Sequence, residues 1–240
     1  SEGLAAPNWG KTFKFARRPN GAFQGIYAGA GPYLSARNVL SIDKALTDVL
    51  GSTSPVPASS LANRTFNLGN ISAGQLALAI TGGYRARFAL PGRGGRDGVY
   101  VGANYHYLRG FRYEQADVRV RFDTDPAGLL TINPTTTPAV VDYQNARSGS
   151  GYAVDLGIAT VVDRLELGFG ANGIGNRITW RDWSWKRYTL QSLVLGGDFV
   201  GQRLAAPYSE LRVELPVDYT ANAAYHWTSL SAVAEVANGF

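Results

Sequence analysis

The 240-residue sequence contains no cysteine and no methionine, and histidine occurs only twice, as His106 and His226. The lack of cysteine excludes a disulfide framework and any thiolate metal site. With two histidines, metal binding and histidine-dependent catalysis are left with very few forms. We therefore expect no metal, no cofactor and no catalytic residue. Because methionine is missing even at position 1, we expect Ser1 to follow a processing site from which a signal peptide was removed.

Long apolar runs are also missing. A transmembrane helix needs about 20 consecutive apolar residues, and the nearest window is interrupted by Gln75, Arg85 and Arg87, which excludes a helical membrane protein. Only 17% of the residues are charged, whereas 29 are Gly, 13 Tyr, 10 Phe and 5 Trp, a composition rich in aromatics and poor in charge for a soluble protein. The mean hydropathy is nevertheless only -0.11. Strands that alternate apolar with small or polar residues reconcile these values.

The clearest such alternation runs from Gln75 to Leu90. Its apolar positions are Leu76, Leu78, Ile80, Tyr84, Ala86, Phe88 and Leu90, and they alternate with Gln75, Thr81, Arg85 and Arg87. The same period of two recurs in residues 99–122, 152–172 and 211–225, and two more strands are predicted at 23–40 and within 11–18. A short helix is predicted over 41–50, with Ser41 as N-cap and Gly51 at its end.

These patterns predict an all-β fold. We interpret residues 1–240 as a single antiparallel transmembrane β-barrel of about 8–10 strands with long external loops and one short helix. Phe240 is similar to the terminal aromatic residue of outer-membrane barrels. The sidedness of the loops, however, would place both chain ends outside, so we expect the natural sequence to continue beyond Phe240.

Charged residues on the strands cannot face lipid cheaply, so the barrel interpretation directs them into the lumen. The predicted lumen-facing set is Arg85, Arg87, Arg119, Arg121, Asp155, Glu166, Glu210, Arg212 and Glu214. Internal ion pairs that fill a small barrel are favoured over an anion-selective pore. Because Tyr and Arg fall on opposite strand faces, a nucleic-acid surface is not expected.

Aromatic residues cluster near the ends of the later strands. Beyond Gly173 the parity reverses, which indicates a β-bulge and makes Ile178 and Trp180 part of the outward apolar set. We predict an aromatic girdle at the headgroup level, made of Trp180, Trp183, Trp185, Tyr188, Tyr225 and Trp227. A soluble aromatic core or a ligand platform is the alternative interpretation.

Residues 151–157, 163–168 and 172–176, which read GYAVDLG, DRLELG and NGIGN, resemble bacterial outer-membrane barrels of the FadL and TraF-like group. The resemblance implies a location in the bacterial outer membrane and passage of small hydrophobic compounds. We expect a channel, transport or structural envelope component without enzymatic activity. Its expected partners are membrane lipids, lipopolysaccharide, envelope proteins and a small hydrophobic ligand.

Two alternatives belong to other classes. The first is a soluble or surface β-sandwich or barrel that binds a ligand or a protein. The second is an outer-membrane enzyme that modifies lipid, which would need a serine or an acidic side chain within hydrogen-bond reach of His106. No serine lies two or four residues from His106, and we expect no such partner.

Overall fold

The computed structural model describes residues 1–54, 56–93, 95–131, 139–190, 199–227 and 230–238. The helical elements are α1 (Lys44–Leu50) and a 3-10 turn at Ala58–Leu61. No helix among the described residues is long and apolar enough to cross a membrane. The strands are β1 (Glu2–Ala5), β2 (Trp9–Arg17), β3 (Phe23–Ile42), β4 (Thr65–Ala89), β5 (Gly98–Thr124), β6 (Leu130–Thr131), β7 (Val140–Ala146), β8 (Ser148–Val162), β9 (Leu165–Arg181), β10 (Ser184–Leu190), β11 (Phe199–Leu204), β12 (Leu211–Glu214), β13 (Asp218–His226) and β14 (Ser231–Asn238).

All these strands belong to one antiparallel sheet, which is curled into a half-barrel. The main path through the sheet is β1-β3-β4-β5-β8-β9-β13-β14, so neighbours in space follow one another along the chain. Shorter strands lengthen this path, because β7 pairs with β5 beyond the end of β8, and β12 pairs with β9 beyond the end of β13. The predicted all-β antiparallel fold is confirmed.

The short helix is also present, but it begins later than predicted. Ser41 lies in β3, where it pairs with Gly69, and the helix starts at Lys44 after Asp43. The Asp43 carboxylate accepts a hydrogen bond from the backbone N–H of Asn67 at 2.6 Å, which holds Asp43 at the end of the β3–β4 ladder. Ser41 is therefore committed to the sheet and cannot cap the helix. Gly51 ends the helix as expected.

The half-barrel has an outer face that is apolar along one part of its strands. Cross-strand partners share a face, and one register row joins Phe13, Ile26, Tyr84, Ala103, Leu156, Ala171 and Tyr219 across seven strands. Exposed large side chains of this face form what we term the apolar band: Ile26, Leu34, Leu76, Ile80, Tyr84, Phe88, Tyr105, Tyr107, Leu156, Ile158, Leu165, Leu167, Phe169 and Tyr219.

In the second half of β9 and in β12 the apolar side chains turn inward. We term this cluster the aromatic core; its buried members include Tyr113, Ile178, Trp180 and Trp183, and Trp185, Leu211, Val213 and Leu215 pack against it. The reversal follows two irregularities: Gly173 and Gly175 adopt positive φ within β9, and residues 215–217 interrupt the strand between β12 and β13. The bulge predicted near Gly173 is thus present, and it turns Ile178 and Trp180 inward instead of outward.

A buried carboxylate on β7 forms hydrogen bonds to the neighbouring strand β10. Asp142 on β7 accepts hydrogen bonds from Arg187 at 2.8 and 2.9 Å and from the indole N–H of Trp185 at 3.2 Å, and it also pairs with Arg119. The hydrogen bonds from Arg187 are the main reason that the pKa of Asp142 is lowered. Because the folded pKa lies below the unfolded one, these contacts stabilise the fold at neutral pH, and this contribution is lost as pH falls through the folded pKa.

We expect Asp142→Asn to lower the free energy of unfolding at pH 7 by about 1.5–3 kcal/mol, the range for hydrogen bonds to a charged group. The variant should also depend less on pH below about pH 4, where an unperturbed aspartate titrates. Denaturant titrations at pH 3 to 7 measure both effects. Asp48→Asn is the matched control because its pair with Lys44 is exposed; equal losses in the two variants would contradict the assignment.

Candidate functional site

A polar cavity of about 370 Å³ lies inside the curled sheet, beside the aromatic core. Side chains from the beginning, middle and end of the chain reach it. Its polar wall includes Asn8, Tyr27, Arg85, Asn104, His106 and Asp155. The cavity is therefore formed only when strands distant in sequence come together around the inner face.

A continuous chain of hydrogen bonds supports one wall of this cavity. The Tyr27 hydroxyl donates to Asn8 Oδ1 at 2.9 Å, and Asn8 Nδ2 donates to the Thr81 hydroxyl oxygen. Thr81 Oγ1 lies 2.8 Å from His106 Nδ1, and His106 Nε2 lies 2.6 Å from Asp155 Oδ2. The arrangement is satisfied when neutral His106 accepts from Thr81 at Nδ1 and donates to Asp155 through Nε2–H.

Glycines make this network sterically feasible. A Cβ atom on Gly29 would lie 2.4 Å from Asn8 Oδ1 and 2.7 Å from the Tyr27 hydroxyl oxygen. Gly173, which has φ +73°, donates its backbone N–H to Asp155 Oδ1 at 2.9 Å. The left-handed conformation, which glycine adopts without steric cost, thus fixes the second oxygen of this carboxylate.

The expectation that no acidic side chain lies near His106 is wrong, because Asp155 is within hydrogen-bond distance. Asp155 lies on β8, 49 residues after His106 in the sequence. Its cross-strand partner on β5 is Asn104. Among the partners of His106, only Thr81 could have been predicted from the local sequence. A hairpin between β4 and β5 places Thr81 opposite His106, and the register shows this pairing.

Thr81, His106 and Asp155 share their residue types with a nucleophile, base and orienting acid. Thr81, however, is only 3% exposed and does not line the cavity, and the Asn8 amide donates to its hydroxyl. A substrate carbonyl therefore has no approach to Oγ1. We interpret the three residues as a network that holds the cavity wall, and the absence of enzymatic activity stays a prediction.

Four of the predicted lumen charges lie on the inner face. Arg85 and Asp155 line the cavity. Arg87 is buried and donates to the carbonyl oxygens of Gly21 and Asp97, both at 2.9 Å, so it anchors turns at one end of the sheet. Glu166 faces Arg96 and His226 at the same end, at 3.9 and 3.8 Å.

Arg119 and Arg121 share the strand parity of buried Tyr113, but they lie at the far end of β5 with about half of each side chain exposed. There Arg119 pairs with Asp142, and Arg121 lies 3.6 Å from Asp123. Both side chains are remote from the cavity lining.

Glu210, Arg212 and Glu214 do not face the interior, so this part of the lumen prediction is wrong. Arg212 and Glu214 pair with Thr179 and Arg177 on the outer face of β9, and exposed Glu210 lies 3.2 Å from Arg181. The intervening apolar side chains fill the aromatic core instead. Because the interior beyond the bulge in β9 is apolar, the charged side chains of β12 must face outward.

The predicted aromatic girdle divides into separate groups. Trp180 is fully buried and Trp183 is 7% exposed, so neither belongs to an external girdle, and Trp185 packs against the same core. Tyr188 is half-buried in the neighbouring strand β10. Tyr225 and Trp227 are exposed at the opposite end of the sheet, with ring centroids 4.7 Å apart. The girdle prediction fails for the buried tryptophans because the bulge turns them inward.

Two asparagines of the cavity wall each have one amide oxygen without a hydrogen-bond partner in the described part of the chain. Asn104 and Asn176 line the cavity, and the Oδ1 atom of each is buried without a hydrogen bond among the described residues. Within the same part of the chain, no group of three histidine or acidic side chains could hold a metal ion. The side chains of Arg85, His106 and Asp155 in the cavity lining are suited to binding a small polar molecule.

No protein-family model, curated protein or solved structure matches this chain. The resemblance to FadL and TraF-like barrels therefore stays a prediction.

Proposed function

We propose that this protein is an outer-membrane β-barrel component that crosses the bilayer with its strands and holds a small polar solute in an interior cavity. The observation that carries the proposal is the reversal of polarity along β9. Next to the cavity its apolar side chains Leu167 and Phe169 face outward, whereas beyond the bulge Ile178 and Trp180 turn inward and the charged side chains of the adjoining β12 face outward. Strands that leave hydrocarbon and enter water need this reversal.

The extent of the apolar band supports the same proposal. On β4 it runs from Leu76 to Phe88, slightly more than the about 9–11 residues with which a tilted strand crosses the hydrocarbon. Soluble monomers rarely expose contiguous apolar patches of more than a few hundred Å². A lipid environment accounts for the exposed Leu, Ile, Phe and Tyr side chains, which a solvated sheet would have to cover.

The interior favours solute binding over an open pore. The aromatic core fills the space on one side of the cavity, and the Asn176 amide donates to the Tyr33 hydroxyl at 2.5 Å, which joins β9 to β3 across the interior. Transport would therefore require the core to move. The polar lining favours small polar solutes over the hydrophobic compounds that the family resemblance implies.

Tryptophan fluorescence offers a direct test of the membrane proposal. Trp9 is 67% exposed and Trp227 is 46% exposed, whereas Trp180 is fully buried. In vesicles whose phosphatidylcholine chains are brominated, we expect quenching of the native protein. The Trp9→Phe/Trp227→Phe double variant should lose most of this quenching, because the exposed indoles are the ones in contact with bromine.

Trp183→Phe is the control, since Trp183 is buried in the aromatic core and its removal should leave the quenching in place. A protein that stays monodisperse in plain buffer and shows no quenching would contradict the proposal. That outcome would favour the soluble binding module, because the apolar band would then have to be covered by another protein surface.

A further inference from the structure

Two opposite charges face the cavity without an ion-pair partner. Arg85 and Asp218 both line it, and no opposite charge lies within 4 Å of either one in the described part of the chain. The Arg85 guanidinium lies 3.9 Å from the centroid of the Tyr27 ring. This stacking orients the guanidinium and leaves its N–H groups available, since a ring face accepts no conventional hydrogen bond from them.

Two asparagines beside these charges each have an unpaired amide oxygen that is buried in the cavity wall. Asn176 is 3% exposed and uses Nδ2 to donate to Tyr33, while its Oδ1 has no partner among the described residues. Turning the amide over would only exchange which of its two polar atoms is left free. Asn104 Oδ1 is buried and unpaired in the same way. An unpaired charge that is partly removed from water is costly, so this cavity is suited to a ligand that pairs with Arg85 and Asp218.

We propose that the cavity binds a small zwitterion with one carboxylate and one primary ammonium group, that is, a free amino acid with a short side chain. The Arg85 fork matches the two oxygens of a carboxylate. An ammonium group has three N–H donors, and it can pair with the Asp218 carboxylate. A volume of about 370 Å³ lies at the small end of ligand sites, which span about 300–1,000 Å³.

This inference deepens the proposed function by naming the ligand class of its cavity, but it can be tested without a bilayer. Equilibrium binding of radiolabelled L-alanine is measured on the full chain in detergent. We expect Arg85→Gln and Asp218→Asn each to weaken binding about tenfold or more, as loss of a charge-assisted hydrogen bond does. Arg121→Gln and Asp123→Asn are the matched controls, because that exposed pair lies outside the cavity lining.

Competition on the native protein keeps the test independent of how the variants fold. Glycine should displace L-alanine. Acetate and methylammonium, which each carry one of the two charges, should compete far less, and glycine betaine should fail because it has no N–H donor. Absence of binding, or equal competition by acetate and glycine, would overturn the zwitterion site. If quenching by brominated lipid still occurs, the membrane proposal stands without it.

Discussion

Ile158→Arg should prevent stable insertion into lipid vesicles, whereas Leu40→Arg should not. Ile158 is 52% exposed within the apolar band, and Leu40 is 58% exposed on the same outer face but beyond the band, where Asn70 is its cross-strand partner. The two sites are thus matched in exposure, and we propose lipid around the first and water around the second. An arginine facing the bilayer midplane costs a barrel about 2–4 kcal/mol, and near or beyond the interface this cost falls toward zero.

Urea titration of the protein folded in phosphatidylcholine vesicles measures the difference. We expect the unfolding free energy of Ile158→Arg to fall by that amount or the folded form to be absent, and Leu40→Arg to remain within about 0.5 kcal/mol of the native value, as surface substitutions usually do. Equal effects at the two positions would show that water surrounds both and would refute the apolar band as a lipid contact.

The sequence alone was sufficient to separate the two faces of a strand where apolar and polar residues alternate without interruption. In residues 75–90 the period of two separates Ile80 from Arg85, and the structure has these residues on opposite faces, with Arg85 in the cavity wall. An alternation with a period of two indicates which residues share a face of the strand. It does not state which face is inside.

That second question explains the errors in residues 173–215. Leu211 and Val213 alternate with charges as the band residues do, yet they pack against the aromatic core. The positive φ of Gly173 and Gly175 reverses the faces within β9, and β12 follows the register of the reversed segment. To decide which face of the strand is buried, one must know that Trp180 fills the interior of the sheet. Only the assembled sheet reveals this.

Local sequence patterns could not predict the candidate site either. His106 was singled out from the sequence, but its partner Asp155 comes from another strand, and Asn8 reaches Thr81 from the beginning of the chain. Residues on β3, β5, β9 and β13 meet around the cavity because the sheet curls. Pairwise registers across several strands, which no alternation pattern provides, are needed to predict such a constellation.

Trp180→Ala should be the most destabilising substitution within the aromatic core. The Trp180 side chain is fully buried, lies 5.8 Å from the Tyr113 ring between centroids, and packs over two glycines. Removing a buried tryptophan costs about 3–5 kcal/mol because the cavity left behind collapses only in part. Trp227→Ala is the control; Trp227 is half-exposed beside Tyr225, and loss of an aromatic pair costs about 0.5–1.5 kcal/mol.

A double-mutant cycle with Gly110 tests whether Trp180 acts through this packing. A Cβ atom on Gly110 would meet the Trp180 ring at 2.5, 2.7 and 3.1 Å, so Gly110→Ala should destabilise the native protein by about 1–3 kcal/mol, the range for overpacking. In the Trp180→Ala background the same change meets open space and should cost far less. The two residues are in contact, so a coupling energy above about 0.5 kcal/mol is expected; additive effects would mean that Trp180 stabilises the sheet by another route.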